Sequence, residues 1–296
     1  MWVIFLFAAA IGLFTFQNIS FKQFNRRFMA DAASYFMFSG FYFVLVCGIF
    51  IAFGVDVSQF TLPVVALGLM FAVSFVCAIF LYMKAMEHGP LSLSFLFFSA
   101  GMLWPILFGI IVYGEPVPLH KAAGLLLLFA ALFISTRGGI PGAGETSGRP
   151  SRKWAAYILF ASFSNGIIGI AMLLFRAAAP LEAVTEFLFL AFGQAALIVL
   201  ALGLILLLKN KKTLCHFRTR SFVPVVLCAA VTTAFGNYIM IQLSLLVSAL
   251  VQFPVINGSL VITSILASRI IFKEAVTKSH LQAIAVGLAA IVMLSI

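Results

Sequence analysis

Ten stretches of the chain stay apolar for roughly 18 to 25 residues at a time, long enough as helices to cross a hydrocarbon core of about 30 Å. A water-soluble helix is apolar along one stripe only. In lipid, every backbone amide must find its partner within its own segment, so these runs read as helices. They fall at about 1–19, 32–54, 61–83, 91–113, 119–137, 153–175, 183–208, 221–243, 248–272 and 279–296. Composition agrees, with 64% hydrophobic and 9% charged residues, whereas a soluble domain is about half apolar and a quarter charged. Mean hydropathy is +1.20. The expected fold is an all-α polytopic membrane protein. The first span has no positive region before it, and Lys22, Arg26 and Arg27 follow it, which is not the pattern of a cleaved signal peptide.

The ten spans divide five and five. Residues 138–152, which begin Gly138-Gly139-Ile140-Pro141-Gly142-Ala143-Gly144, read as a linker between repeats at 1–137 and 153–296. A phosphate-binding glycine loop would need a following Lys-Ser/Thr, which is missing. A shift of 159 residues carries Glu115 onto Glu274, and in both places a long apolar run ends in glutamate and another begins about five residues later. A shift of 154 carries Gly12 and Lys22 onto Gly166 and Arg176. Such self-similarity is the mark of a duplicated unit.

Charge sets orientation. Basic residues cluster at Lys22, Arg26 and Arg27; at Lys84; at Arg137, Arg149, Arg152 and Lys153; at Lys209, Lys211, Lys212, Arg218 and Arg220; and at Arg269, Lys273 and Lys278. These sixteen of the eighteen lysines and arginines fall on one side, leaving only Lys121 and Arg176 on the other. Basic short loops stay cytoplasmic, so both termini are expected outside a cell membrane. The net charge of +10 follows from this bias and calls for no nucleic acid. Because five is odd, tandem copies must lie in opposite orientations. That is the plan of many secondary transporters, whose substrate sits near mid-membrane between the repeats.

Ten spans in a five-plus-five duplication, a Gly89-Pro90 start to the fourth span, and Glu115 followed nine residues later by Gly124 resemble the drug/metabolite transporter superfamily in its EamA-like branch. The resemblance covers nearly the whole chain. It implies a carrier of small organic molecules, commonly an exporter of metabolites, amino acids or lipophilic compounds. Two features depart from the pattern. Glu274 has Ala283 nine residues on, with glycine only at Gly287, and the family's termini are usually cytoplasmic. The superfamily's short four-span proton-coupled carriers have a carboxylate inside the first helix, whereas spans one and six here hold no Asp or Glu.

Polar side chains inside the membrane cost free energy and are functional candidates. Asn165, Gln194 and Asn257 lie near the middles of spans six, seven and nine. Each is either interhelical glue, worth roughly 0.6–2 kcal/mol, or lining for a solute cavity. Asn237, Tyr238 and Gln252 lie nearer the outer ends of spans eight and nine, and Trp104 sits beside a break at Pro105 in span four, with Ser99 about one turn earlier. Tyr82, Tyr113 and Tyr238 suit the aromatic belt at helix ends. Glu186, beside Glu182 and one turn into span seven, is either interfacial or a proton-carrying group. Glu115 and Glu274 are expected to pair with Lys121 and with Lys278 or Lys273, pinning hairpins or gating.

Catalysis finds little here. His88, His120, His216 and His280 fall at loop positions without metal-ligand spacing, and no histidine at membrane depth could activate Ser92, Ser94 or Ser99. Cys47, Cys77, Cys215 and Cys228 form no CxxC. The expectation is a non-enzymatic carrier, monomer or homodimer, with no cofactor and no metal. A lipid flippase on the same fold is the alternative; an intramembrane enzyme or a channel is more remote.

Overall fold

The computed structural model describes residues 1–28, 32–88, 94, 97–137, 151–179, 181–209, 222–273 and 277–295, and all regular structure among them is helical. The α-helices are α1 (Trp2–Arg27), α2 (Ala32–Ala52), α3 (Leu62–His88), α4 (Leu103–Tyr113), α5 (Leu119–Arg137), α6 (Arg152–Ala178), α7 (Val184–Lys209), α8 (Phe222–Leu246), α9 (Ala249–Phe272) and α10 (Lys278–Ser295). Among the described residues, seven stretches are long and apolar enough to cross a membrane: Trp2–Phe24, Ala33–Ala52, Leu62–Ala85, Arg152–Ala178, Val184–Leu206, Phe222–Leu246 and Ala249–Ile271. Phe97–Tyr113, Leu119–Ser135 and Lys278–Leu294 are shorter apolar helices. The chain is a helical, membrane-embedded protein.

Helix boundaries depart from the apolar runs in two instructive places. Helix α1 continues to Arg27, so Lys22, Arg26 and Arg27 ride on its last turns and not on a loop. The fourth span is not one continuous helix. A 3₁₀ turn at Ala100–Met102 precedes α4, so that Pro105 falls in the first turn, where its missing N–H costs no hydrogen bond. Residues 138–150 of the linker, the basic stretch at 210–221 and Glu274 lie outside the described residues.

The chain forms two compact units, Met1–Val76 with Leu174–Gln242, and Cys77–Leu173 with Leu243–Ile296. Each unit takes helices from both halves of the sequence. Inside the first, α2 packs along α7. Gly40 receives the Leu200 side chain, while a Cβ on Gly203 would lie 3.0 Å from Met37 Sδ and one on Gly193 would lie 3.7 Å from Cys47 Sγ. Rising residue numbers on one helix meet falling numbers on the other, so the two run antiparallel. Around them is an aromatic core. Phe24 stacks on Phe38 at 4.0 Å and 11°, Phe43 meets Phe192 at 5.5 Å, and Phe187 stacks on Phe175 at 4.4 Å. Such pairs add about 0.5–1.5 kcal/mol each beyond simple burial.

In the second unit α5 packs along α10, again antiparallel. A Cβ on Gly124 would lie 2.9 Å from Leu294 Cγ, and one on Gly287 3.7 Å from the Ala131 methyl. Helix α6 starts on a cap: the Ser151 hydroxyl accepts from the Trp154 amide at 3.0 Å and donates to the His88 carbonyl at 3.2 Å, tying the end of α3 to the start of α6. Trp154 then packs with Ala85, Ile158 and Ala161 and donates its indole N–H to Ser94 Oγ at 2.8 Å.

Glycine contacts predict a contrast. A Cβ on Gly101 would sit 2.6 Å from the Ser162 carbonyl oxygen, whereas one on Gly12 meets nothing within 4 Å. Backbone cannot yield as a side chain can, so Gly101→Ala should destabilise by about 1–3 kcal/mol. Gly12→Ala should be neutral or stabilise by about 0.5–1 kcal/mol through helix propensity. Thermal unfolding midpoints in detergent read both.

Candidate functional site

The first unit contains an unusual carboxylate. A 3₁₀ turn at Leu181–Ala183 leads into α7, whose first turn holds Glu186. Glu186 is only 3% exposed, covered by protein although it lies near a span end. Its Oε1 accepts the Asp56 backbone N–H at 2.9 Å, joining the α2–α3 connection to the start of α7. Its Oε2 is buried and has no hydrogen-bond partner among the described residues. The exposed carboxylate of Asp56 itself is turned onto Ser58, whose hydroxyl and N–H (2.9 Å) hold it below the usual carboxylate range.

Along the same side of α7, Phe189 stacks on Phe60 at 6.1 Å and 22°, and both rings are half-buried. Gln194 donates from Nε2 to the Val65 carbonyl at 3.5 Å. Because a carbonyl can only accept, this bond fixes the amide's orientation and leaves Oε1, also buried, without a donor among the described residues. The face of α7 toward residues 56–65 thus carries two unanswered acceptors with an aromatic pair between them.

A second polar seam joins α1 to α8. Gln17 Nε2 donates to Thr233 Oγ1, and Asn237 Nδ2 donates to the Thr233 carbonyl at 2.8 Å. All three residues are buried, and close approach is helped by Gly236, whose Cβ would lie 2.9 Å from the Phe14 ring. Tyr238 is 37% exposed. Sequence reasoning found Asn237 but passed over Gln17 and Thr233; the signal for Gln17 was the same one, an amide inside an apolar run.

In the second unit Glu115 does a different job from the expected pairing with Lys121. Gly114, at φ 64°, ends α4 in the left-handed conformation that glycine adopts freely. The turn aims Glu115 at the start of α9, where Oε1 accepts the Ala249 N–H at 3.0 Å and Oε2 the Leu250 N–H at 3.3 Å. A carboxylate there satisfies orphan amides and faces the positive end of the helix dipole.

Asn165 donates to the Phe98 carbonyl at 3.3 Å. One residue on, Gly166 is covered by Trp104, whose ring meets Phe163 edge-on at 5.0 Å and is 40% exposed. Ser99, buried, precedes the 3₁₀ turn without capping it through its side chain. Asn257 Nδ2 bonds the Phe253 carbonyl of its own helix at 2.8 Å, beside the internal Pro254, and Gln252 is fully buried. Asn165, Trp104, Ser99, Asn257, Gln252 and Glu115 therefore belong to this unit, and Gln194, Asn237, Tyr238 and Glu186 to the other.

The histidines also differ from expectation. His280 is buried in the first turn of α10, its ring Nδ1 accepting the Thr277 backbone N–H and its own backbone N–H donating to Thr277 Oγ1, both at 3.3 Å. His120 lies in the first turn of α5 and His88 closes α3. Loop residues by sequence, these are helix-end residues in the fold.

No family model and no curated protein matches the chain. A solved structure known only as "Crystal structure of protein" superposes with a TM-score of 0.71 at 16% identity, over 98% of this chain and 95% of that one. That likeness is one of fold.

Glu115→Ala should cost about 0.5–2 kcal/mol, the usual value of a lost helix cap, with Glu115→Gln intermediate because its amide oxygen still accepts. Hydrogen exchange of the peptide covering 247–253 should speed up in the same order.

Proposed function

We propose that this chain is a ten-span carrier built of two inverted five-helix repeats, residues 1–137 and 153–296, moving a small organic solute across a cell membrane by alternating access. The observation that carries this reading is a reciprocity in two helix pairs. A shift of 163 takes Met37 and Gly40 to Leu200 and Gly203, and Gly40 meets Leu200 while Met37 meets Gly203. The same shift takes Gly124 and Ala131 to Gly287 and Leu294, and Gly124 meets Leu294 while Ala131 meets Gly287. Any antiparallel pair in uniform register meets in this way; the weight lies in the shift, which is the same in both pairs and sets glycine on glycine, Gly40 on Gly203 and Gly124 on Gly287, as two copies of one unit would. The equivalent helices run antiparallel, as inverted copies require.

This register also accounts for the glycine absent at Ala283. It sits at Gly287, one helical turn farther on: both last helices begin four residues after their glutamates, at Leu119 and Lys278, and the interlocking glycine lies one turn deeper in the second copy. Inverted repeats of this kind are the framework of secondary transporters. Basic loops are assigned to the cytoplasm and both termini to the outside. The candidate substrate-binding residues are Asn165, Asn257, Trp104, Ser99 and Gln252 in one unit and Gln194, Asn237 and Tyr238 in the other. Glu186, Glu115 and Glu274 are candidates for coupling or gating.

Purified protein in proteoliposomes should show saturable counterflow of at least one solute from a panel of amines, amino acids, nucleosides and sugars, absent from empty vesicles. Lipid scrambling or ion conductance without any solute counterflow would overturn the carrier reading.

A further inference from the structure

We infer that the α7 face running from Glu186 to Gln194 binds the ammonium group of an organic amine that carries at least one N–H. The inference deepens the carrier reading and rests on it for what the site is for, though not for its chemistry.

Unanswered groups on this face are all of one kind. Glu186 Oε2 and Gln194 Oε1 are both buried and without partners among the described residues, and a carboxylate oxygen and an amide oxygen only accept. Burying an acceptor with no donor costs about 1–3 kcal/mol, and more when it is charged. A ligand that answers them must bring hydrogen on nitrogen or oxygen, and beside a carboxylate a cation does so best. An anionic ligand is disfavoured although the site lies at a helix N-terminus. The positive end of α7 already faces Glu186, and the Asp56 N–H of the neighbouring loop is spent on Glu186 Oε1.

Local charges point the same way. Glu182, on the preceding turn, and Asp56, on the loop, are exposed carboxylates, so the approach to the site is acidic. Arg176, near the end of α6, is the basic residue nearest in sequence and is half-buried. One turn beyond Glu186, the stacked Phe60 and Phe189 offer part-exposed ring surface, and aromatic faces attract ammonium ions at short range. Carboxylate, aromatic pair and amide oxygen follow one another over eight residues of helix, a rise of about 12 Å. An arylalkyl amine can set its ammonium on Glu186 and its ring against the phenylalanines.

Glu186→Gln isolates the idea. The amide oxygen can still accept from Asp56 N–H, while the second oxygen is exchanged for a donor. Three probes share one skeleton: 2-phenylethylammonium, its N,N,N-trimethyl form without N–H, and 3-phenylpropionate. Isothermal titration in detergent should give wild-type binding of 2-phenylethylammonium at least tenfold tighter than of the other two. Glu186→Gln should weaken that binding tenfold or more, the loss expected for a charged hydrogen bond, and Gln194→Leu should weaken it less. Equal binding of 3-phenylpropionate, or amine binding undiminished in Glu186→Gln, overturns the inference. If the variant unfolds, the three-probe comparison on wild type still decides. Proteoliposome counterflow separates the two claims. Glu186-dependent amine binding with no solute counterflow leaves the site standing and removes the carrier. Counterflow of other solutes with no amine binding does the reverse.

Discussion

Inside a bilayer two helices gain nothing by hiding apolar surface from each other, because the lipid is as apolar as they are. Association then rests on close packing and on hydrogen bonds between helices. This constraint explains where the glycines of this chain are spent. Gly40 and Gly203 let α2 and α7 approach, and Gly124 and Gly287 do the same for α5 and α10. In each pair a small residue on one helix takes a large one from the other. The interlock fixes direction and register together, which a smooth apolar surface would not.

The same constraint governs the polar side chains. Asn165, Gln194, Asn237 and Asn257 each donate to a backbone carbonyl, of a neighbouring segment in the first two cases and of their own helix in the last two. Two glutamates at helix starts show how differently one residue type can be used. Glu115 spends both oxygens on the first amides of α9 and is a structural cap. Glu186 spends one on a loop amide and keeps the other, at 3% exposure. What distinguishes a site from a brace is the group left over.

Much of the fold was legible because apolar run length is a one-dimensional signal. The starts of α5 and α9 fall within a residue of the runs that announce them. The 3₁₀ turn before α4 was legible only as a break at Pro105. The repeat was visible at Glu115 and Glu274 but misaligned in the last helix, since glycine at 287 and alanine at 283 are one turn apart and only packing tells which faces the partner. Burial was the least legible property. Glu186 and His280 sit within a turn of a helix start, where sequence cannot tell an exposed side chain from one folded under a loop or into a cap. Nor can a sequence show that Glu115 reaches an amide more than 130 residues away.

The central claim is that equivalent helices of the two halves lie antiparallel in one particular register, and cysteine pairing in native membranes tests it directly. A Cβ on Gly287 would stand 3.7 Å from the Ala131 methyl, within the range of about 3.5–4.5 Å that a disulfide spans. In a background lacking the native cysteines, Ala131→Cys with Gly287→Cys should cross-link under mild oxidation, and Ala131→Cys with Leu294→Cys should not. Cross-linking of 131 to 294 instead would place α5 and α10 parallel and contradict the inverted repeat.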